Sequence, residues 1–488
     1  MPVNRRIDDA ALAELAAQAR ADLAMLAYPS AGWVTPRRAP DGAPIHAVLI
    51  VGGGQSGLGI AAALRREGVT DVVVLDRAPR DQEGVWESFA RMAELRTPKV
   101  INGLDFGCPS LSVQRWYRAA FGEAAWDSFE NIPRAHWAAY LRWYRATLDL
   151  PVRNDTEAVD VFPAHGVIGV RTQGKAGAAV LLARTVVLAT GYDGAGAWAV
   201  PEVVSAALPP DRYDHTNGPV DFAKLRGRRV AVLGHGASAF DNANAALAAG
   251  AARVDLCFRR DRLPRINPHR FMETAGTMTH FCALPDAVRW RVLRYFKSND
   301  QPPPLPTFER AMAHENFRLH PATPWLGLRL DGDAIAIATP RGELCADHVL
   351  CGTGSTIALE ARPELRRIAA AVLRWRDRFV PPPGEEDAGF ASLPYLGQHY
   401  ECLPADPADA WLGRVFCYNF ASRLSFGPHS TSISGHRHCI PRIVRGLTGR
   451  LFAEQADTLA DALEAFAPRD LPVADDFEEL LLAVAVAE

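Results

Sequence analysis

Two stretches of the chain share one pattern, in which an apolar run leads through a glycine-rich turn into a helical segment and a second apolar run. In the first stretch, residues 47–79, the apolar run Ala47–Val51 is followed by a helical segment from Leu58 to Glu67. The second apolar run, Val72–Leu75, ends on Asp76. Short apolar runs bounded by glycine are typical of buried parallel strands. The pattern therefore predicts a strand–turn–helix–strand unit.

The same pattern returns near the middle of the chain, around residues 229–260. A strand leads into a glycine turn and a helix, and the next strand, Val254–Phe258, ends on Arg259 and Arg260 instead of an acid. Strands that alternate with helices favour parallel sheets. We therefore predict the α/β fold class, with two Rossmann-like dinucleotide-binding domains.

Periodic segments elsewhere predict the remaining elements and the domain limits. In a helix over 133–148, Trp137, Tyr140 and Tyr144 share one face and are interpreted as core. Further predicted elements are an N-terminal helix over 8–27, a strand over Leu181–Leu188, a strand and turn over Asp347–Gly354 that marks the return to the first domain, a strand over Val415–Phe420 and an amphipathic helical tail from Ala453. The predicted limits are 1–45 for an N-terminal helix and linker, 46–200 for the first part of the first nucleotide domain, 201–340 for the second nucleotide domain with an insertion at 260–330, and 341–488 for the second part of the first domain and the C-terminal helices.

The first glycine turn has the G-x-G-x-x-G spacing of a dinucleotide site. Gly52 permits the tight turn, Gly54 lets the backbone approach a pyrophosphate, and Gly57 lets the helix pack on the strand. The pyrophosphate then lies at the positive N-terminus of the helix. Asp76 follows Gly57 at the distance where a carboxylate accepts hydrogen bonds from ribose hydroxyls. The position of this unit near the N-terminus favours FAD.

The second turn predicts a second nucleotide. Gly234 and Gly236 hold the first two glycine places, and Ala239, preceded by Ser238, holds the third. A guanidinium pair at Arg259-Arg260 suits the 2′-phosphate of NADPH, which a carboxylate would repel. Two solvated arginines at a strand end are the alternative interpretation, and NADH therefore remains possible.

Residues 260–330 are rich in cations and aromatic side chains and fit neither nucleotide unit. Inserted segments commonly line substrate sites, so Arg265, His269 and Arg270 are the candidate residues on the substrate side. A solvated charged helix packed on the domain explains the same composition. The loop Ser425–His438 has two interpretations as well: it presents N–H groups to the edge of a flavin ring, or it is an ordinary helix N-cap.

Composition and charge exclude several other classes of function. The 488 residues are 48% hydrophobic and 22% charged with a net charge of −3, which favours no nucleic-acid partner. Acids precede any apolar run at the N-terminus, so neither a signal peptide nor a membrane span is expected and the protein is predicted to be cytoplasmic. The eight cysteines form no CxxC pair and are interpreted as buried thiols, and no metal site is expected.

Beyond the two glycine turns, several motifs make the chain resemble the class B flavoprotein monooxygenases over most of residues 45–450. E-G-V-W at Glu83–Trp86 is similar to a G-G-x-W motif of that superfamily, and L-A-T-G-Y at Leu188–Tyr192 matches its linker motif. Pro133 and Tyr140-Leu141 correspond to its P…Y-L helix, and Gly352–Gly354 resembles its second A-T-G. The superfamily includes the flavin-containing, Baeyer–Villiger and N-hydroxylating monooxygenases.

Two branches of that superfamily are not matched. Around His215 the Baeyer–Villiger fingerprint requires Phe, Gly and an aromatic residue, where this chain has Pro209, Asp211 and Pro219. The N-hydroxylating pattern requires an Asp before L-A-T-G-Y and His-Pro after it, where this chain has Arg184 and Ala197-Trp198. The chain therefore resembles the superfamily without matching a named branch.

The resemblance implies FAD in the first domain and NADPH in a nested second domain, with hydride transfer to the flavin and oxygen insertion through a C4a-hydroperoxyflavin. The implied partners are O2 and a small organic substrate, for which the cations of 260–330 favour an anionic or electron-poor molecule such as a purine. The alternatives are an NAD(P)H oxidase or flavin reductase, a disulfide reductase, which would need a redox cysteine pair, and a non-catalytic flavin-binding sensor. The oligomeric state is left open. The candidate cofactor-binding residues are Gly52, Gly54, Gln55, Ser56, Gly57, Asp76, Arg77, Trp86, Arg96, Gly191, Gly234, Gly236, Ser238, Ala239, Arg259, Arg260, Gly354 and Ser430.

Overall fold

The computed structural model describes residues 6–101 and 103–468. Of the described residues, those up to Thr448 form one compact unit, and those from Gly449 to 468 belong to a second. Within the predicted C-terminal tail, a helix covers Ala456–Glu464, and residues 469–488 lie outside the described part. None of the helices in the described ranges combines the length and the apolar character that crossing a bilayer requires.

The strands of the described residues fall into two large and three small sheets. They are β1 (Arg37–Arg38), β2 (Pro44–Val51), β3 (Val72–Leu75), β4 (Glu94–Pro98), β5 (Asn131–Pro133), β6 (Val152–Arg153), β7 (Thr156–Ala164), β8 (Val167–Gly174), β9 (Gly177–Gly191), β10 (Gly196–Trp198), β11 (Tyr213–His215), β12 (Arg229–Leu233), β13 (Arg253–Cys257), β14 (Phe317–His320), β15 (Gly327–Asp331), β16 (Ala334–Thr339), β17 (Gly342–Ala346), β18 (His348–Cys351), β19 (Ser355–Ile357) and β20 (Val415–Asn419).

Helices connect and cover these sheets. They are α1 (Asp9–Met25), α2 (Gln55–Arg66), α3 (Val113–Phe121), α4 (Glu123–Asp127), α5 (Arg134–Thr147), α6 (Glu202–Ser205), α7 (Ala237–Ala248), α8 (His269–Met272), α9 (Ala275–His280), α10 (Asp286–Asn299), α11 (Leu305–Met312), α12 (Arg366–Ala371), α13 (Ala388–Ser392), α14 (Arg423–Phe426), α15 (Ile433–Ala453) and α16 (Ala456–Glu464). The N-terminal helix predicted over 8–27 and the helix predicted over 133–148 are thus α1 and α5.

The first large sheet contains the first glycine unit. Strands β6, β3, β2, β9 and β20 run parallel in that order, and β8 and β7 extend the sheet from β9 as an antiparallel meander. Strand β2 is almost fully buried, because β3 and β9 flank it and α2 packs beside it. The carboxyl ends of β2, β9 and β20 therefore meet at one edge.

The second large sheet contains the second glycine unit. Its strands are all parallel, in the order β11, β18, β12, β13 and β14. Alternate side chains of these strands enter two cores, one under α7 and one under the sheet of β15, β16 and β17. Both faces of the sheet are covered, as apolar parallel strands require.

One predicted connection differs from the observed pairing. The strand within Asp347–Gly354 was expected to mark the return to the first domain, but β18 pairs with β11 and β12 in the second sheet. An apolar run followed by glycine occurs at the ends of strands in both sheets. The pattern therefore does not indicate to which sheet a strand belongs. The second sheet therefore includes residues up to Cys351, beyond the predicted domain limit at residue 340.

The aromatic face of α5 is part of the core. Trp137, Tyr140 and Tyr144 are buried, which confirms the core interpretation. The two phenol hydroxyls donate hydrogen bonds to the carbonyl oxygens of Leu111 and Leu104, at 2.8 and 2.9 Å. Their polar ends are therefore satisfied inside the core.

Candidate active site

The first glycine turn connects β2 to α2 and leaves no room for side chains at two of its glycines. Gly52 has a φ of +109°, and a Cβ there would lie 2.4 Å from the carbonyl oxygen of Ala189 at the end of β9. A Cβ on Gly57 would lie 1.9 Å from the carbonyl oxygen of Gly52. The turn is therefore pressed between its own helix and β9, as the spacing of the glycines predicts.

The N-terminus of α2 is open towards a cleft. Gly54 is its N-cap residue and supplies no side-chain cap to the first N–H groups. A Cβ on Gly54 would come within 3.3 Å of Gly84, which belongs to the predicted E-G-V-W motif. A narrow cavity lies here, with Trp86 and Arg142 among the residues that line it. An anion placed in this cleft would meet the positive end of the helix.

The carboxylate of Asp76 lies beside the turn and is 8% exposed. Its two oxygens accept hydrogen bonds from the backbone N–H groups of Gly53, at 2.7 Å, and Ala78, at 2.8 Å. Burial raises the pKa of Asp76, while the two N–H donors act in the opposite direction. The neighbouring Arg77 is exposed and lies 3.9 Å from Glu157. The acid is thus fixed beside the glycine turn, and its role in binding a ribose stays a prediction.

Two candidates of the first site make contacts that the sequence did not indicate. Trp86 packs edge-to-face against Trp137, with the ring centroids 6.4 Å apart. Arg96 donates to a carboxylate oxygen of Asp241 at 2.8 Å, and Asp241 lies on α7 with only 4% of its surface exposed. Arg96 therefore connects β4 to the helix of the second glycine unit. Its role at a cofactor stays a prediction.

The second glycine turn repeats the geometry of the first. Gly234 has a φ of +140°, and a Cβ there would lie 2.3 Å from the carbonyl oxygen of Gly352, which follows β18. Ala239 is buried and packs against Gly352, since a Cβ on Gly352 would lie 2.8 Å from the Ala239 Cβ. Gly236 is the N-cap of α7, and a Cβ there would meet nothing within 4 Å. Ser238, in the first turn of α7, is half-buried.

The two arginines that follow β13 differ in their hydrogen bonding. Arg260 donates to the carbonyl oxygen of Ser298 at 2.7 Å. Arg259 is exposed and makes no hydrogen bond or ion pair with any residue in the described ranges. Arg259 alone therefore keeps all its donors available for an incoming phosphate.

The three candidate residues on the substrate side differ in how far they are exposed to solvent. Arg265 and Arg270 are exposed, whereas His269 is half-buried at the start of α8. The Nδ1 atom of His269 lies 3.3 Å from Nε2 of His429, in the loop that precedes α15. Burial lowers the pKa of both histidines to about 4, so both rings are neutral near pH 7.

The loop Ser425–His438 contains a helix N-cap. The N–H of Ser430 donates to the carbonyl oxygen of Gly427, and its hydroxyl lies 3.1 Å from that of Ser422. The hydroxyl of Ser432 accepts from the N–H of Gly435 at 3.2 Å, in the first turn of α15. Ser432 therefore acts as the cap, and the N–H of Ser430 is already engaged.

Residues that the sequence interpretation missed join the elements around these turns. His436 is fully buried, and its Nε2 lies 3.1 Å from the hydroxyl of Ser56, beside the candidate Gln55 in the first turn of α2. Asn419, at the end of β20, donates to the hydroxyl of Thr190 at 2.9 Å. Isolated polar residues at strand ends have no distinctive sequence spacing, so only the packing of the strands identifies them.

The strand ends close to these residues carry the last two glycine candidates. Gly191, which ends β9, and Gly354, which follows β18, both have positive φ angles, of 73° and 77°. The carbonyl oxygen of Gly354 lies 2.9 Å from Nε2 of His215. Trp198 stacks on the His215 ring, with the ring planes 6° apart. The histidine of the incomplete Baeyer–Villiger fingerprint therefore packs between the two connections of the large sheets.

Sequence comparisons identify one family and one relative to which this chain is similar. Residues 49–272 match the family described as pyridine nucleotide-disulphide oxidoreductase. The FAD-dependent urate hydroxylase of Xanthomonas campestris pv. campestris is 44% identical over 452 residues, which cover 92% of this chain and 95% of that protein.

Two solved structures have a fold similar to that of this chain. Ornithine hydroxylase from Pseudomonas aeruginosa has a TM-score of 0.66 at 18% identity and covers 83% of this chain and 100% of its own. L-lysine 6-monooxygenase from Pseudomonas syringae has a TM-score of 0.62 at 19% identity and covers 83% of this chain and 99% of its own. At these identities the structures show the fold alone, which is the predicted α/β fold with Rossmann-type domains. By its 44% identity to the urate hydroxylase over 92% of its length, the chain belongs to the FAD-dependent hydroxylases, and it is an oxidoreductase.

Proposed function

We propose that this protein is a FAD- and NADPH-dependent monooxygenase that hydroxylates urate. The observation that carries the two-cofactor assignment is the pair of matching glycine turns, each pressed on a neighbouring strand and each opening a capless helix. The substrate comes from the identity of 44% to the urate hydroxylase. When bound, the flavin passes electrons from the nicotinamide to dioxygen and supplies the activated oxygen atom. The oxygen-transfer route implied by the resemblance is part of this proposal.

The residues of the first turn fit FAD. The open N-terminus of α2 would hold the pyrophosphate, and Gly54 would let the backbone approach it. Asp76 keeps unused lone pairs on both carboxylate oxygens, which would accept from ribose hydroxyls. Trp86, in the cavity at this turn, would exclude water from the bound nucleotide.

The residues of the second turn fit a nicotinamide dinucleotide. The N-terminus of α7 has no side-chain cap, and a Cβ built on Gly236 would meet nothing within 4 Å. The uncapped N–H groups of α7 would therefore bind a pyrophosphate. We propose that this nested domain extends from residue 201 to Cys351, because β18 belongs to its sheet.

Replacement of Arg259 by alanine is expected to narrow the preference for NADPH over NADH. The guanidinium of Arg259 would bind the 2′-phosphate, which NADH lacks. Loss of a charge-assisted hydrogen bond of this type weakens the affinity for NADPH by about tenfold or more. Flavin reduction should be measured against the concentration of each nucleotide. Arg260→Ala is the matched control, since Arg260 is bonded to Ser298. An unchanged Michaelis constant for NADPH in the Arg259 variant would remove this role.

The cysteines argue against disulfide reduction. A redox cysteine needs an accessible thiolate. Burial raises the pKa of Cys257, Cys351 and Cys417 to about 12 and that of Cys439 to about 11. Cys402 is buried as well, and its pKa is raised well above the usual range. These thiols stay protonated at neutral pH, and hydroxylation therefore fits the chain better than disulfide exchange.

The experiment that tests the proposal follows the flavin and the substrate separately. The purified flavoprotein is reduced anaerobically with NADPH and then mixed with oxygen and urate. We expect rapid bleaching of the flavin, followed by loss of urate and incorporation of one labelled oxygen atom from O2. Release of peroxide with urate unchanged would indicate an oxidase, and no flavin reduction by either nicotinamide would indicate a flavin-binding sensor.

A further inference from the structure

Within the described part of the chain, the side chain of Arg423 has no hydrogen-bond partner. Arg423 begins α14, and its guanidinium carbon lies 4.4 Å from the centroid of the Phe420 ring. None of its nitrogens makes a hydrogen bond with a residue in the described ranges, and the Nε atom is buried. A guanidinium has five donors in a fixed fork, and a buried donor that loses water without gaining a partner is costly. A bound anion would supply the missing acceptor.

The backbone around Arg423 is held rigidly by the strand ends. Asn419 accepts from the N–H of Ala421 at 2.9 Å and donates to Thr190 at the end of β9. The turn Phe420–Ser422 is thereby fixed on β9, and the Phe420 ring lies 4.3 Å from the Tyr192 ring. Ligands of α/β sheets bind at the carboxyl ends of the strands, which is where this pair of aromatic rings lies.

Charged groups outside α14 act on Arg423. The carboxylates of Asp300 and Asp387 oppose the lowering of its pKa by burial, and the charge of Arg423 in turn lowers the pKa of His269. Asp300 is already 3.2 Å from His235, which follows β12. His269 is neutral and paired with His429. The guanidinium thus lies over the Phe420 ring, which in turn contacts the Tyr192 ring.

This combination suits a planar anion. A guanidinium fork binds two adjacent acceptors in one plane, and an aromatic ring beside it favours a flat partner. Both pyrophosphate sites are accounted for by the N-termini of α2 and α7, and Arg423 belongs to neither turn. A phosphate of either nucleotide is thus not needed to explain it.

We propose that Arg423 binds the substrate as an anionic planar heteroaromatic ring, with the guanidinium fork on two adjacent oxygen or nitrogen acceptors of that ring. Phe420 is the positioning residue that holds the plane of the guanidinium. This inference rests on the proposed function, because urate is a flat oxopurine that loses a proton readily. It assigns the anion recognition to α14 instead of to Arg265 and Arg270 in the insertion.

The test compares Arg423→Gln with Arg437→Gln in the oxidised flavoprotein, without any nicotinamide. Arg437 is an exposed arginine of α15 and serves as the matched control. Calorimetric titration with urate should show binding weakened by about 10- to 100-fold in the Arg423 variant, the usual effect of a charge-assisted hydrogen bond. The affinity of Arg437→Gln should equal that of the wild type. Binding of a fully N-methylated, uncharged urate should differ little between Arg423→Gln and the wild type.

Wild-type affinity for urate in Arg423→Gln would overturn the inference. Loss of flavin, or slower flavin reduction by NADPH, in that variant would overturn it as well, because the residue would then serve a cofactor. If the glutamine variant does not fold, Arg423→Lys decides: it keeps the charge but loses the fork, so several-fold weaker binding is expected and unchanged binding refutes the proposal.

The two proposals fail in different ways. Wild-type protein that neither binds nor hydroxylates urate would refute the proposed function. The xanthine monoanion then tests Arg423 by itself: weaker binding of this anion by Arg423→Gln than by the wild type supports the inference. Equal binding, or no binding to the wild type, overturns it.

Discussion

Replacement of Gly54 by valine is expected to yield protein that keeps less than about a tenth of the wild-type flavin, because side-chain atoms would fill the space that the pyrophosphate needs. Gly54 has a φ of −71°, which valine adopts without strain. Its Cβ would approach Gly84 at 3.3 Å, a contact that a small shift relieves. The variant should therefore fold, although its pyrophosphate site at the first glycine turn is blocked. Flavin content is read from the ratio of visible to ultraviolet absorbance after purification.

A matched control for this variant is Gly327→Val. Gly327 begins β15, and a Cβ there meets nothing within 4 Å. It should carry normal flavin and melt close to the wild-type temperature. Normal flavin content in Gly54→Val, with a normal melting temperature, would contradict the assignment of the first turn to FAD.

Replacement of Gly236 by valine is expected to leave the flavin bound and to slow its reduction by NADPH by about 100-fold or more. The valine side chain would block the binding of the nicotinamide nucleotide at the N-terminus of α7. Gly236 has a φ of −75°, and nothing lies within 4 Å of its would-be Cβ. The substitution therefore costs little folding free energy, and its effect reports on ligand access to the N-terminus of α7.

Stopped-flow bleaching of the flavin measures this effect directly. Dithionite, which needs no nucleotide site, should reduce Gly236→Val and the wild type at the same rate. A variant that NADPH reduces normally would show that the second turn does not bind the nicotinamide nucleotide. A variant that has lost its flavin would show that the two turns are not independent sites.

Much of the fold followed from local pattern. Gly52 and Gly234 occupy places where a positive φ and a neighbouring carbonyl oxygen exclude any side chain, so their spacing predicted both turns directly. The apolar runs of β2 and β12 predicted buried parallel strands, because both faces of such strands must be apolar. Local rules of this kind act over a few residues and remain visible in the sequence.

Other outcomes depended on distant parts of the chain. Strand β18 has the same pattern as the end of β9, and only its pairing with β12 assigns it to the second sheet. Arg259 and Arg260 are adjacent and chemically identical. Arg260 nevertheless donates a hydrogen bond to the carbonyl oxygen of Ser298, whereas Arg259 has no such partner in the described ranges. In the sequence, His269 was grouped with Arg265 and Arg270 as a cation of the insertion. In the structure it is half-buried beside His429, which the sequence did not indicate.

The sequence by itself determined the two nucleotide turns, the α/β class and the resemblance to the flavoprotein monooxygenases, since each rests on spacing within a short segment. Only the tertiary structure decided which side chains meet between the two sheets. Arg423 and His269 lie more than a hundred residues apart, and Asn419 brings α14 to the end of β9 through hydrogen bonds with no sequence signature. Contacts between distant segments depend on how whole sheets and helices pack, and no local pattern of hydrophobic and polar residues records that packing.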